Sequence, residues 1–559
     1  MQSIQKNTPE RVALLIPSAT LVGIDIQNEF GPIPPVLIPL FGKIALQKIA
    51  ATFSGFDPVI YVGLNEQREM VHQYMAFFPC EQVHLVDVTS SVSISETIEQ
   101  IINENTGILS GPALINFADT VVNDLDPALI GHDFVAYSIC DESERWTLFK
   151  ETGGIITDHS DKQFQLDPSG WKTFIGLWGV RDTKRFYEIL KKWNRRDRIT
   201  AFYKTIIEYY NTSSRVEFVY SKDWFDLGHI DNYYRARRRN INTRFFNSTN
   251  VNEKGYGIVK TSTNTSKIIH EITWYLNLPK ELRYHIPTLY EYSCDTCHPY
   301  YEMEYYSYPT LDDCFISGRF DFDTWNKIFL KIFCYIKSAA KYNLGNNDLH
   351  RDLVEMYHDK TLTRLEQYLR DTDPKFIHEL DALTINGKKL LPLKDFILRF
   401  DRLLERFHIF DSGEFQVIHG DLCFGNILFD HKNGIIKFID PRGEFGRHTI
   451  YGDIYYDLGK LSHSVLGFYD CIIFNQYRLN RIGVGQYTLE FFRKDYKEVV
   501  GKIFTKYLRV GHYDPEKVRF VEALHFLSML PLHADTPNRQ KVLLFRGLQI
   551  LSELLEETP

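Results

Sequence analysis

Val417-Ile418-His419-Gly420-Asp421-Leu422-Cys423-Phe424-Gly425-Asn426 decides the reading: a β-branched run breaks at His-Gly, and an aspartate is followed after four residues by an asparagine. Phosphoryl transfer requires a carboxylate beside the attacking hydroxyl and an amide oxygen that holds magnesium, and an Asp-x-x-x-x-Asn loop supplies both. Downstream, Ile427-Leu428-Phe429, a turn at His431-Lys432-Asn433-Gly434, and Ile435 to Pro441 read as a hairpin. Such a hairpin delivers Asp440 beside the loop, where a second carboxylate bridges the metal and the nucleotide phosphates. Asp421 is therefore the expected catalytic residue, with Asn426 and Asp440 as ligands for Mg²⁺.

Working upstream, Lys260 ends the strand Ile258-Val259-Lys260, and Glu271 sits in a helical pattern from Ser266 to Leu276. A strand lysine held by a helix glutamate is the arrangement that engages the α- and β-phosphates of ATP. Tyr301 to Tyr306 is strand-like, and beyond Leu311 the pattern is mostly helical except around Val417 to Gly446. The expectation is a bilobal α+β, protein-kinase-like domain, with a small lobe at 236–310 and a helical lobe at 311–559.

These residues together resemble the aminoglycoside phosphotransferase and choline kinase family over about Arg244 to Leu555. The resemblance implies ATP-dependent phosphorylation of a small hydroxyl-bearing metabolite or sugar. It also implies an adenine site at Met303-Glu304-Tyr305-Tyr306, making Glu304 and Tyr305 ATP-binding residues. In Gly452-Asp453-Ile454-Tyr455-Tyr456-Asp457-Leu458-Gly459, it implies that Asp457 orients the catalytic loop, against the simpler reading of a helix-start acid. The family's glycine-rich phosphate loop is absent. Arg239-Asn240-Ile241-Asn242-Thr243-Arg244 or Asn247-Ser248-Thr249 holds its place, with a solvated basic linker as the alternative. In Tyr357 to Arg364, Lys360 and Arg364 fall four apart on one helical face. That face suits an anionic or hydroxylated acceptor, or is simply exposed and cationic.

From about Arg11 to Asp231, short β-branched or aromatic runs alternate with amphipathic stretches. The runs include Val12 to Ile16, Val59 to Val62, Gln82 to Val86, Ala113 to Phe117, Phe134 to Ile139, Thr173 to Val180 and Arg215 to Tyr220. The stretches include Lys43 to Phe53, Ser95 to Asn103 and Thr183 to Trp193. Strands separated by helices predict a mostly parallel, Rossmann-type α/β domain over 1–235. Asp119, after the strand Ala113-Leu114-Ile115-Asn116-Phe117, and Asp226, in Trp224-Phe225-Asp226-Leu227-Gly228, are carboxylates suited to metal-assisted attack on a nucleoside triphosphate.

The order and context resemble the sugar-phosphate nucleotidyltransferases over about Arg11 to Tyr234, with Pro35 to Lys43 and Phe174-Ile175-Gly176-Leu177-Trp178 as further matches. The resemblance implies nucleotidyl transfer from CTP or UTP to a phosphate ester, with Asp119 and Asp226 holding the metal. Two features depart from it. Ile16-Pro17-Ser18-Ala19-Thr20-Leu21-Val22-Gly23 replaces a glycine-rich turn carrying an arginine, and Pro34 stands where the family has lysine. Lys43 or Lys172 would then have to engage the phosphates.

Both halves together predict a bifunctional enzyme supplying an activated precursor, by resemblance one for surface polysaccharide. The alternatives are a kinase with a non-catalytic nucleotidyltransferase-like binding domain, and a pseudokinase scaffold. At 559 residues the chain exceeds one hydrophobic core, and its 44% apolar content supports buried cores rather than disorder. A net charge of −8 argues against a nucleic-acid partner, the Arg235 to Arg244 cluster aside. No run reaches about 18 apolar residues and no signal-peptide order opens the chain, so the expectation is a cytoplasmic protein without membrane insertion. Partners are small-molecule substrates, and a homo-oligomer is left open. Cys294-Asp295-Thr296-Cys297-His298 reads as a hairpin turn with two free thiols.

Overall fold

The computed structural model describes residues 12–40, 42–91, 93–140, 142–164, 169–213, 216–239, 247–251, 257–345, 349–411 and 415–556. The chain divides into two compact units, Met1–Asn240 and Ile241–Pro559.

The first unit is built on Ala13–Ser18, buried along its whole length. It lies parallel between Val59–Leu64 and Ala113–Asn116, and Val83–Asp87 extends the parallel set outward. A strand covered on both faces needs no polar alternation, so Ala13-Leu14-Leu15-Ile16 reads as one apolar run. The crossovers are helices such as Ile94–Glu104, which buries Ile98, Ile101 and Ile102. That spacing puts them on one face, and the Ser93 hydroxyl caps the helix by accepting the Glu96 N–H at 3.2 Å.

The expected parallel core is present, but the nine-stranded sheet continues as a mixed one. Trp171–Val180 runs antiparallel to Ala113–Asn116 on one side and to Phe134–Ser138 and Thr147–Thr152 on the other. Thr147–Thr152 turns back into Ile155–Asp161 through Gly153 and Gly154, both at positive φ, a hairpin the sequence reading did not include. Apart from this sheet, Thr120–Val122 pairs antiparallel with Trp224–Asp226, Asp226 opposite Thr120. That short ladder brings the two acids of the first unit together.

In the second unit Gly257–Ser262 runs between Asn247–Val251 and Tyr300–Glu304, with Leu289–Ser293 at the far edge. The helix Thr265–Asn277 packs on this sheet, and Cys294 and Cys297 are exposed free thiols in the connection before Tyr300. Residues 240–244 of the first phosphate-loop candidate lie outside the described residues, as do 252–256 between the first two strands. The second candidate is corrected: Asn247, Ser248 and Thr249 face Ser262, Thr261 and Lys260 in an edge strand, not a loop.

The larger part is helical, with the hairpin Ile427–Asp430 and Ile435–Phe438 set into it. Phe424 of the catalytic loop stacks on Trp325 at 5.4 Å and meets Phe315 edge-on at the same separation. The hydrophobic core thereby holds the loop from behind. One departure from the helical expectation is a second sheet, Tyr477–Gly483 with Gln486–Phe491, extended by Thr384–Ile385 and Lys388–Lys389. Among the described residues no helix is long and apolar enough to cross a membrane.

Candidate active sites

Lys260 is 2% exposed and Glu271 fully buried, and the ammonium lies 2.8 Å from Glu271 Oε2 and 2.9 Å from Asp440 Oδ1. Tyr301 donates to the same Glu271 oxygen at 2.7 Å, and Lys267 reaches the other at 3.4 Å. Burial acts to lower the Lys260 pKa, but the charges of Asp440 and Glu271 outweigh it and push it up to about 12. Partial burial acts to raise the Asp440 carboxyl, yet Lys260 beside it holds it below the ordinary carboxylate range. Three residues spread over 180 positions of sequence thus form one charge cluster, with Asp440 at φ +56°, a left-handed conformation uncommon outside glycine. The backbone there is fixed on both sides: Ile439 N–H donates to Asn426 O and Arg442 N–H to His419 O, each at 3.0 Å.

The loop His419–Asn426 is tied at each end. Asp457 accepts the backbone N–H groups of His419 and Gly420, both at 2.7 Å. Burial raises the Asp457 carboxyl to about 7, although those two hydrogen bonds act against it. Asn426 Nδ2 donates to Asp421 O at 2.8 Å and contacts Asp421 Oδ2 at 3.3 Å, which turns its amide oxygen the other way. Gly420, at φ +79°, passes so close to the Arg442 side chain that a β-carbon would lie 2.7 Å from Arg442 Cβ. Glu304 ends its strand with its N–H on Thr288 O at 2.8 Å, and half-buried Tyr305 follows it.

The donor set suits magnesium. It offers one carboxylate and one amide oxygen, hard ligands for a cation that keeps waters and takes the rest of its shell from phosphates. Among the described residues no group of three or more acidic, histidine or cysteine side chains forms a dedicated metal cage.

In the first unit, Asp119 and Asp226 lie side by side. Gly228 is packed against Asp119 Oδ2 so tightly that a β-carbon there would overlap it, and the same β-carbon would stand 3.2 Å from Asp226 Oδ1. Asp226 is held by the Gly228 N–H at 2.9 Å, His229 Nδ1 at 2.6 Å and Asn232 Nδ2 at 2.9 Å. Burial, and then the Asp226 charge, raise Asp119 to about 6, while the hydrogen bond to Asp226 raises His229. Two carboxylates forced together in this way repel one another, and His229 and Lys162 offset only part of that repulsion. Of the expected phosphate lysines, Lys43 is exposed, and Lys172 pairs with Glu151 at 3.0 Å over the rings of Tyr137 and Phe218.

Residues 348–483 match the phosphotransferase enzyme family. The match contains Asp421, Asn426, Asp440 and Asp457. For the first unit, similar solved structures include the nucleoside-diphosphate-sugar pyrophosphorylase from Vibrio cholerae RC9, at 14% identity and TM-score 0.33, covering 40% of this chain and 99% of that one. The inositol-1-phosphate CTP transferase from T. maritima is 10% identical with TM-score 0.32, over 40% and 91% of the two chains. The CTP:phosphocholine cytidylyltransferase from Streptococcus pneumoniae is 11% identical with TM-score 0.31, over 40% and 97%. Comparison with curated proteins gives no match. The chemistry of the first unit therefore rests on its own residues.

Within the phosphotransferase domain the sequence reading missed Lys460, whose ammonium lies 2.9 Å from Asp421 Oδ1. It follows Asp457 by one turn on the helix Ile454–Val465, so the residue that orients the loop and the residue that pairs with its aspartate share a helical face. The π-helical turn Val354–Asp359 leads into Lys360, which donates to the Tyr456 hydroxyl at 2.6 Å. Burial lowers Lys360 to about 8; burial would raise Tyr456, but Lys360, Arg442 and Lys460 bring it down to about 8 as well. Arg364 is directed elsewhere, to the Ser528 carbonyl at 3.3 Å. Lys360 thus belongs to a buried cationic group with Arg442 and Lys460, not to an exposed face.

Proposed function

We propose that the second unit transfers the γ-phosphoryl group of ATP to a hydroxyl of a small metabolite or sugar. The observation that carries this reading is Lys260 clamped between Glu271 and Asp440, with Asp421 and Asn426 joined in the adjoining loop. Lys260 engages the α- and β-phosphates, Glu304 and Tyr305 border the adenine, and Asp421 orients the acceptor hydroxyl and takes its proton. Asn426 and Asp440 hold Mg²⁺, which supplies charge neutralisation at the phosphates. Lys360, in the cationic group with Arg442 and Lys460 beside Asp421, lies toward the acceptor, whereas Arg364 is engaged by the Ser528 carbonyl. The test is a metabolite-pool screen for ATP-dependent phosphorylation with Asp421→Asn as control. A phosphorylated product that persists undiminished in that variant refutes the assignment.

For the first unit we propose nucleotidyl transfer from CTP or UTP to a phosphate ester, supported by the paired Asp119 and Asp226 as metal ligands and by the tight Gly228 approach. The two reactions in series give an activated nucleotide, of use in surface-polysaccharide assembly. A second reading has a specific observation in its favour: with Lys172 engaged by Glu151 and Lys43 exposed, the first unit binds a nucleotide without turning it over. Pyrophosphate release with a panel of phosphate esters, abolished by Asp226→Ala, supports turnover; no release with any ester supports the binding domain. ATP binding without any phosphoryl transfer identifies the second unit as a pseudokinase scaffold.

A further inference from the structure

The helical part of the second unit contains a cavity of about 760 Å³ that none of Lys260, Asp421, Asn426 or Asp440 lines. One wall is apolar, made by Val465, Leu466, Phe468, Leu489 and Phe491. The rest of the lining comes mostly from the helices Lys494–Val510, Pro515–Ser528 and Pro537–Glu556 and carries an excess of cations. Seven of the lining residues are lysine or arginine and two are glutamate, in a chain whose overall charge is −8.

The charges are arranged in depth. Lys502, Lys506 and Arg509 are exposed and fall on one face of their helix, so they form a rim. Deeper, Arg519 contacts Glu522 at 2.6 Å and Glu553 at 3.2 Å, while Arg546 donates to Leu466 O at 2.8 Å and lies 3.9 Å from Glu553. Glu522 and Glu553 therefore offset the two guanidinium groups, and the excess positive charge of the lining lies with its lysines and Arg509. Burial, and then the Arg519 charge, depress Arg546 below its ordinary value. Gln549, also on the lining, has a side-chain oxygen shut off from solvent with no hydrogen-bond partner among the described residues.

A planar guanidinium matches phosphate and carboxylate oxygens in pairs, flexible lysines add charge at the mouth, and the volume lies within the range of small-molecule sites. We infer that this cavity binds a phosphate-bearing small molecule with two or more negative charges, its phosphates on the basic wall and its organic body on the apolar one. Arg546 donates to the carbonyls of Leu466 and Gly467, which directly follow Ile454–Val465, the helix that carries Asp457 and Lys460, so the cavity lies at the far end of the element that holds the His419–Asn426 loop.

The test is calorimetric titration of the full chain with inorganic pyrophosphate in EDTA. Wild type is compared with Lys502→Glu/Lys506→Glu and with Thr505→Trp, which fills the cavity without altering charge; Thr505→Met serves if the tryptophan variant does not fold. A binding event weakened at least tenfold in both kinds of variant is expected. Equal binding in all proteins, or loss in the charge variant alone, overturns the inference, the latter by revealing general counterion attraction. Binding to phosphatidylglycerol vesicles but not to free pyrophosphate also overturns it, as does the absence of binding to either.

Discussion

Replacing Asp119 by asparagine should stabilise the first unit in the absence of divalent cations. Asp119 sits beside Asp226 with its pKa raised from 3.8 to about 6 by burial and that neighbouring charge. A carboxyl whose folded pKa lies above its unfolded value has its full stability below the unfolded pKa and loses it as pH rises through the folded one. The loss thus develops between about pH 4 and pH 6 and is complete above that window. At about 1.4 kcal/mol per unit, two units amount to about 3 kcal/mol at pH 7.5 and roughly half that at pH 5. Asparagine reproduces the neutral carboxyl at every pH and does not incur the loss. For a unit of this size the gain is about 6–10 °C in melting temperature at pH 7.5. Tryptophan fluorescence follows it, since Trp146, Trp171, Trp178, Trp193 and Trp224 place five of the seven indoles in the first unit. The melt is run in EDTA at pH 5 and pH 7.5, then with Mg²⁺ and CTP, which should narrow the gap by raising only the wild type. A variant no more stable than wild type at pH 7.5, or a gap that does not shrink at pH 5, refutes the account of the acid pair.

Three further outcomes follow from the geometry. Gly228→Ala introduces a β-carbon that overlaps Asp119 Oδ2, so pyrophosphate release should fall by a hundredfold or more with ATP-dependent phosphorylation unchanged; equal losses in both assays count against a local effect. Lys460→Met removes the cation 2.9 Å from Asp421 and should lower kcat by about 10²-fold, as for other preorganised electrostatic groups, with KM for ATP little changed. Partial recovery in Lys460→Arg is expected, whereas a change in KM alone argues against the assignment. Lys360 and Tyr456 both titrate near 8 in the fold, below their ordinary values of 10.5 and 10.0, so both lose protons earlier folded than unfolded. Their joint contribution to stability must rise as pH climbs from about 8 toward 10. The wild-type melting temperature, measured relative to Lys360→Met/Tyr456→Phe, should therefore increase over that interval; a flat difference rejects the buried pair.

The parts of the fold legible in the sequence were those in which one local pattern carries the whole constraint. Asp421, Asn426 and Asp440 stand within twenty residues, and the hairpin between them is written in two apolar strands around Lys432-Asn433-Gly434. Lys460 was legible in principle, because three positions after Asp457 a helical residue faces the same way, but that inference needs the helix to be docked on the loop first. The hairpin Thr147–Thr152 and Ile155–Asp161 was overlooked because its second strand is exposed at most positions and lacks a clear alternation. Its one strong signal was the Gly153-Gly154 pair. Gln486–Phe491 does alternate buried and less buried residues, yet it lies between long helical patterns that dominate any wider window. Spacing placed Lys360 and Arg364 four apart on one helix. It could not show that Lys360 points inward at Tyr456, which depends on packing between helices about a hundred residues apart.

The two sites obey opposite electrostatic rules, and this bears on how each responds to its ligands. At Asp440 the protein has supplied its own cation: Lys260 stabilises the carboxylate without metal. Nucleotide phosphates arriving there compete with Asp440 and Glu271 for Lys260, so metal and nucleotide gain by entering together, the metal taking over the carboxylate that the lysine partly releases. At Asp119 and Asp226 burial and mutual repulsion outweigh the charges of His229 and Lys162. A divalent cation there relieves a repulsion already present, so it should bind without nucleotide. Magnesium alone should accordingly raise the melting temperature of the first unit and leave that of the second unchanged until ATP is added, a difference that calorimetry of the intact chain resolves directly.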